Sequence, residues 1–331
     1  MQNQHTEQEL LNEVPSLDLA DFTSGNPEKK AAFVKSIGNA FNNIGFVAIK
    51  NHGLSDAHIA QLYDLTKAFF QQDQATKNQY EIEGLAGQRG YTGKQKETAK
   101  GFSTPDLKEF YHVGQELAAD DPDPIRSEYP DNVWPTELPE FKEIMLKAFY
   151  TLEEAGKNIL RAIAIYLELP EDYFDEKVKN GNSILRPIHY FPIENPDAVP
   201  ADAVRAAAHG DINLITLLMG ASAEGLQVLR RDDVWIPITA LPDQVVVNVG
   251  DMLDRLTNNV LKSTIHRVVN PPKAQMHTSR YSIPFFMHPR SEMDLTCLES
   301  CISEVNPKRY EDTTAGEFLT ERLIELGLLK K

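Results

Sequence analysis

Three residues have the types and spacing to hold a metal. His209 and Asp211 stand two positions apart in Ala208-His209-Gly210-Asp211, and His266 sits in the run Thr264-Ile265-His266-Arg267-Val268. Side chains at i and i+2 of a strand share a face, so His209 and Asp211 can reach one ion from one extended segment. Two imidazoles and a carboxylate on one face of an octahedron leave the other positions open, an arrangement suited to divalent non-haem iron. A single histidine is more often a surface or satisfied core residue; His5 and His58 read that way, and His277 lies near a loop. The set of three counts because all its members fall in β-type runs of the same half of the chain. One turn and one strand after His266 come Arg280 and Ser282, again sharing a strand face. A guanidinium forks onto a carboxylate and a hydroxyl adds a further hydrogen bond, so a dicarboxylic acid can bridge Arg280 and the metal.

These residues need elements to position them. From residue 180 onward the chain breaks into short β-type runs separated by Gly, Pro and Asp: Ser183–Tyr190, Ala206–Met219, Gly225–Leu229, Val234–Ile238, Gln244–Val249, Ser263–Val269 and Arg280–Met287. That texture predicts a jelly roll or related barrel. The first half reads as helical. Residues 12–20 suggest an opening strand. Ala32, Phe33, Ile37 and Phe41 mark a helix over 27–43. Gly45–Lys50 is a β-run, and Ser55 has the chemistry of an N-cap for a helix through Phe70. Residues 71–104, with five glycines, read as loop. A long scaffold helix spans 136–168, and the tail over 314–329 returns to helix. The expected architecture is therefore mixed α and β, a jelly-roll core flanked by N-terminal and C-terminal helices. Its expected divisions are 12–130, 131–180, 181–290 for the core and 291–331.

Strand parity extends the site. Counting by twos from Arg280 and Ser282 puts Pro284, Phe286 and His288 on the same face. Counting back from Tyr190 reaches Ile188 and Arg186.

Composition bounds the partners. With 41% hydrophobic and 25% charged residues, the chain is ordinary for a soluble globular protein. No apolar run approaches the ~20 residues that span a bilayer, and the N-terminus lacks a signal peptide's basic and apolar parts. The expectation is a cytoplasmic protein with no membrane partner. A formal charge of -16 repels a phosphate backbone, which argues against nucleic acid. The two cysteines, Cys297 and Cys301, fit neither a CxxC redox motif nor a zinc knuckle and read as free thiols. Oligomeric state is not legible at this level.

The whole pattern resembles the 2-oxoglutarate/Fe(II)-dependent dioxygenases of the isopenicillin N synthase-like group, which includes plant anthocyanidin synthase and flavonol synthase. The resemblance runs from Val14-Pro-Ser-Leu-Asp-Leu19 and Gly45-Phe-Val-Ala-Ile-Lys-Asn-His-Gly-Leu54 through Arg89-Gly-Tyr91, Asp106-Leu-Lys-Glu-Phe-Tyr-His-Val113 and Leu185-Arg-Pro-Ile-His-Tyr-Phe-Pro192. It then takes in the HxD, Gly225-Leu-Gln-Val228, Asn248-Val-Gly-Asp251, His266-Arg-Val268 and Arg280-Tyr-Ser-Ile-Pro-Phe-Phe286. It implies a double-stranded β-helix core with Fe(II) on His209, Asp211 and His266. It implies 2-oxoglutarate as co-substrate, on Arg280, Ser282 and Tyr190, with O2 as oxidant and ascorbate as a candidate reductant. Turnover would release succinate and CO2 and oxidise a substrate C–H. Where the family often has Asn-Tyr-Tyr, this chain has Ile188-His189-Tyr190. Asp211 stands where related halogenases carry a small residue, so hydroxylation, desaturation or ring formation is the expected outcome. The family also places Phe110 and His112 in the pocket and Arg89 and Tyr91 at its entrance.

These basic and aromatic groups, Arg186, His112, His288 and Arg89 among them, suggest a small substrate that is anionic or rich in hydrogen-bonding atoms. Two alternatives stand beside this expectation. One is a same-fold oxidase that needs no 2-oxoglutarate; the other is a binding protein without turnover.

Overall fold

The structure is a computed structural model that describes residues 11, 13–85, 87–94, 96, 105–117, 129–195, 197, 203–219, 225–238, 241, 243–326 and 329. In chain order the first half supplies β1 (Ser16–Asp18), α1 (Leu19–Thr23), α2 (Pro27–Asn43), β2 (Phe46–Lys50), α3 (Asp56–Phe70), α4 (Gln74–Asn78), β3 (Gly90–Thr92), β4 (Glu109–Gly114), α5 (Phe141–Tyr166) and α6 (Asp175–Val178). The second half supplies β5 (Ile184–Leu185), β6 (Ile188–Tyr190), β7 (Ala206–His209), β8 (Ile215–Met219), β9 (Leu226–Leu229), β10 (Trp235–Pro237), β11 (Gln244–Val249), α7 (Asp251–Leu256), β12 (His266–Val268), β13 (Arg280–Met287) and α8 (Ala315–Glu325).

Local chemistry sets the helix starts. Asn26 caps α2 with Pro27 in the first turn, Ser55 caps α3 as expected, and Thr314 with Glu317 forms a capping box on α8. The strands form two sheets. The larger runs β1-β2-β11-β8-β13-β5-β4-β3, with β6 bridging β13 and β4; the smaller runs β10-β9-β12-β7. Together they make the double-stranded β-helix.

Alternation along the larger sheet decides what reaches the interior. Val245, Val247 and Val249 of β11, Ile215, Leu217 and Met219 of β8, and Ile283, Phe285 and Met287 of β13 all join the core shared with α2, α3 and α5. Each large apolar side chain so buried stabilises the fold by roughly 1.5–3 kcal/mol. Gly156 lets α5 lie close on the sheet, because a Cβ there would meet Met287 Sδ at 2.4 Å. The intervening residues, among them Thr216, Asn248, Ser282 and Phe286, face the space between the two sheets.

The structure corrects several element boundaries. The single run expected over Ala206–Met219 is two strands, because β7 belongs to the smaller sheet and β8 to the larger. The chain crosses between them at residues 210–214. This turn is tied to the start of α7 by Asp251 N donating to Asp211 O (2.7 Å) and Gly250 N donating to Leu214 O (2.9 Å). Ser183–Tyr190 likewise divides into β5 and β6 around Pro187, which has no N–H for the ladder. The stretch over 71–104 is not loop throughout, since α4 and β3 lie within it; residues 97–104 fall outside the described residues. Only three residues of the opening run are strand, because Asp18 caps α1 by accepting from Ala20 N. Both cysteines are free and buried. Among the described residues, no helix is long and apolar enough to cross a membrane.

Candidate active site

The end of β7 and the start of β12 are paired so that His209 lies opposite His266. Their rings are 4.5 Å apart between centroids. Asp211 is not on the strand with His209, as parity suggested, but in the crossing turn just beyond it. The ligand atoms of all three nevertheless lie within 4.8 Å of one another, with His266 Nε2 3.8 Å from Asp211 Oδ1.

Hydrogen bonds fix which atoms face the centre. His209 Nδ1 donates to Ala207 O at 2.6 Å and His266 Nδ1 to Thr264 O at 3.2 Å. A carbonyl oxygen only accepts, so both protons sit on Nδ1 and both Nε2 lone pairs are available to a metal. Asp211 Oδ2 accepts from Thr216 Oγ1 (2.6 Å) and Asn248 Nδ2 (2.7 Å), which leaves Oδ1 toward the histidines. Burial, reinforced by His266, pushes His209 down to about 4. Burial alone would raise the Asp211 carboxyl, but His266, His209, Asn248 and Thr216 outweigh it and hold the group below its usual range. An ionised carboxylate and nitrogen donors converging from three directions, with no thiolate, fit divalent iron.

Two cavities meet at this corner. The inner one, about 70 Å³, is lined by the triad, Thr216, Asn248, Ile188, Tyr190, Arg280, Ser282 and Phe286. Arg280 is 1% exposed, and its guanidinium carbon lies 4.9 Å from the centre of the Tyr190 ring. The outer cavity, about 360 Å³, shares His209, Asp211, Arg186, Lys108 and Phe286 with the inner one. It adds His112, His288 and Ile184, and it is walled by Leu319, Arg322 and Leu323 of α8 and by Leu326, which caps that helix.

Arg186 sits where the cavities join. Its Nε donates to His112 Nε2 at 2.5 Å. Its guanidinium lies over Phe110 at 4.5 Å and over Phe286 at 4.9 Å. An imidazole nitrogen and two aromatic faces therefore hold the plane of the guanidinium. Burial, then the Arg186 charge, hold His112 well below its ordinary value, so it stays neutral and can accept.

The structure thus brings together His209, Asp211, His266, Arg280, Ser282, Tyr190, Ile188, Arg186, His112, Phe286 and His288. Three expected pocket residues lie elsewhere. Arg89 is buried beneath Gly114, with Nη1 donating to Gln88 O at 2.7 Å. Tyr91 points into the aromatic core around Phe69 and donates to Glu109 Oε2 at 2.5 Å. The reason is register: Tyr91 pairs with Tyr111, whose side of β4 faces the helices. Phe110 does not line either cavity; it packs behind Ile188 and Tyr190 and supports Arg186.

Thr216 and the α8 wall carry no sequence signal of their own, while Lys108 and Asn248 stand in the motifs quoted above without an assigned place; counting by twos along β11 separates Asn248 from the valines that face the helices. Lys108 pairs with Asp106 at 2.8 Å, and Asp106 also accepts from Ala207 N, tying the lead into β4 to the metal-bearing strand.

A double-stranded β-helix with an HxD…H corner between its sheets defines a mononuclear non-haem iron oxygenase. Comparison with known proteins carries this to the family. The model for the non-haem dioxygenase in morphine synthesis N-terminal region matches residues 14–137, and the model for the 2OG-Fe(II) oxygenase superfamily matches residues 181–289. A 2-oxoglutarate-Fe(II) type oxidoreductase, ppzC of Metarhizium majus, is 31% identical over 95% of this chain and 87% of its own. A solved 2OG-Fe(II) oxygenase family protein from Caulobacter crescentus is 42% identical with a TM-score of 0.83, covering 95% of this chain and 99% of its own. A full-length Neurospora crassa protein, solved in complex with alpha-KG and thymine, is 30% identical with a TM-score of 0.81, covering 94% and 96%. The chain belongs to the isopenicillin N synthase-like family of 2-oxoglutarate/Fe(II) oxygenases. It is a 2-oxoglutarate-Fe(II) type oxidoreductase, and Fe(II) and 2-oxoglutarate are its cofactors. This sets aside both the oxidase without 2-oxoglutarate and the protein without turnover.

Proposed function

We propose that this enzyme oxidises a C–H position of a small organic molecule, by hydroxylation or desaturation, with conversion of 2-oxoglutarate and O2 to succinate and CO2. One oxygen atom of O2 goes to succinate; the other goes to the substrate on hydroxylation, and on desaturation it leaves as water with the two hydrogens taken from the substrate. The observation that carries the reading is the meeting of two cavities at one metal corner, a tight inner one ending on Arg280 and Ser282 and a larger outer one. Fe(II) on His209, Asp211 and His266 would supply the redox chemistry and the oxygen-binding position.

The inner residues suit 2-oxoglutarate. Arg280 and Ser282 present a fork and a hydroxyl to its far carboxylate, and Tyr190 closes the same wall. Ile188 replaces a polar side chain there with an apolar one, so the anchor relies on Arg280 and Ser282. Along the chain, 181–290 carries the chemistry, 12–130 braces it and lends Lys108 and His112 to the cavity walls, 131–180 braces it, and the 291–331 division supplies α8 to the substrate side.

The outer cavity suits a planar, acceptor-rich substrate of small size, neutral or anionic. Phe286 offers a flat apolar face, while Arg186 offers donors held in one plane by two rings and His112. The Neurospora crassa relative is in complex with thymine, a flat ring bearing carbonyl acceptors, and such a molecule has the chemistry this wall favours. His288 lines the same cavity and supplies a further polar contact.

The test has two stages. Anaerobic protein with Fe(II) and 2-oxoglutarate should develop a weak visible charge-transfer band. In air, succinate release should then rise when the right member of a panel of nucleobases, phenolics, amino acids and small carboxylates is added. No band and no succinate would sink the reaction; stimulation by bulky apolar compounds alone would sink the substrate class.

A further inference from the structure

The reverse face of the β6–β13 pair holds a buried polar cluster. Glu109 is 1% exposed and accepts three hydrogen bonds, from Lys77 Nζ (2.8 Å), His189 Nδ1 (2.8 Å) and Tyr91 OH (2.5 Å). A carboxylate only accepts, so His189 carries a proton on Nδ1 and its ring cannot flip without losing that bond. Its other nitrogen, Nε2, lies 2.9 Å from Ser279 Oγ. The same ring stacks on Tyr281, with centroids 4.8 Å apart and planes 10° from parallel.

Ser279 and Tyr281 are the residues on either side of Arg280. Register explains the arrangement. Arg280 pairs with Tyr190, Tyr281 with His189, and Ser282 with Ile188. Alternation therefore sends Arg280, Ser282, Tyr190 and Ile188 to the cavity, and His189 and Tyr281 to the opposite side. A slip of one residue would exchange the two sets.

We propose that His189 is a positioning residue for the co-substrate: one imidazole, pinned by Glu109, holds the chain on both sides of Arg280 and so aims its guanidinium at 2-oxoglutarate. This rests on the reading that Arg280 anchors that molecule. An apolar side chain at 189 would fill the same space and stack on Tyr281, but it would tie neither Ser279 nor Glu109. Lys77 and Tyr91 already donate to Glu109. What the histidine adds is direction.

The test is a binding cycle that does not depend on turnover. Affinity for 2-oxoglutarate is measured by calorimetry on the full chain loaded with Mn(II) in place of Fe(II), for wild type, His189→Phe, Ser279→Ala, Arg280→Ala and the double variant His189→Phe/Arg280→Ala. His189→Phe keeps the stack and loses both hydrogen bonds; its Kd should rise about 10-fold. Ser279→Ala leaves the Glu109 cluster intact and should raise Kd about 3-fold. In the Arg280→Ala background, His189→Phe should change nothing further, because the group it aims is gone. An unchanged Kd in both His189→Phe and Ser279→Ala overturns the proposal, as does an equal loss with and without Arg280. An unchanged Kd in Arg280→Ala alone overturns the anchor reading instead. Should His189→Phe not fold, Ser279→Ala decides the outcome, since it disturbs no buried charge.

Discussion

Asn248 Nδ2 donates to Asp211 Oδ2 at 2.7 Å, and Thr216 Oγ1 donates to the same oxygen at 2.6 Å. Two strands of the larger sheet thereby orient a ligand carried by a turn next to the smaller one. Removing such outer partners generally costs 10–100-fold in metal affinity. Asn248→Ala and Thr216→Val are expected to weaken Fe(II) binding by about 10-fold each and to act non-additively, because they share one oxygen. Metal titration under anaerobic conditions checks this. Wild-type affinity in both variants would show that the turn alone holds Asp211.

Arg280 should govern the demand for 2-oxoglutarate. Truncating one member of a buried charge pair costs several kcal/mol, so Arg280→Ala is expected to raise the 2-oxoglutarate KM on the order of 10²-fold. Fe(II) affinity should stay near the wild-type value. Arg280→Lys should fall between, since it keeps the charge and loses the fork. A KM unchanged in both variants would move the co-substrate carboxylate elsewhere.

Arg186 should govern the substrate instead. Arg186→Lys keeps the charge but loses the planar donor array and its two aromatic faces. The expected result is a rise of about 10-fold in KM for the stimulating substrate, with 2-oxoglutarate affinity unchanged. His112→Phe removes the acceptor of Arg186 Nε and should act in the same direction. A shift in the 2-oxoglutarate Kd rather than in substrate KM would reassign Arg186 to the inner cavity.

Acid should destabilise the metal-free protein in two windows. Burial pushes His288 down to about 4, with Arg186 adding to the effect and Asp211 opposing it. The unfolded chain takes up this proton near 6.5. Stability is therefore full above 6.5 and falls as pH drops to 4, by roughly 3 kcal/mol. Glu109 follows at lower pH. Burial opposes its ionisation, but His189, Lys77 and Tyr91 prevail and hold it at about 2. Its contribution, again roughly 3 kcal/mol, is present above 4.5 and lost as pH falls to 2. Urea unfolding against pH should show His288→Asn reducing the slope of the upper window, which the buried His209 and His112 share, and Glu109→Gln reducing that of the lower one. Wild-type slopes in both variants would exclude these groups as the source.

Much of the site was legible as residue types. HxD and a later histidine marked the metal set, and a following RxS marked the proposed anchor, because strand alternation is a local property that survives without tertiary detail. The helix over 27–43, the cap at Ser55 and the strand at Arg280–Met287 were legible for the same reason. The break after His209 was not. No sequence period marks a chain passing from one sheet to another; the Gly210–Leu214 turn is set by its bonds to α7, some 40 residues on.

By itself, then, the sequence determined the chemistry available: two imidazoles, a carboxylate, a fork with a hydroxyl, and the faces that the strands give them. Only the tertiary structure decided which residues share a wall. It sent Tyr91 into the helical core through its pairing with Tyr111, and it placed Arg186 between Phe110 and Phe286 with His112 as its acceptor. It also brought α8, from the far end of the chain, to the outer cavity. These are outcomes of register and packing between segments distant in sequence. Such contacts depend on the summed fit of many side chains, and no single motif encodes them.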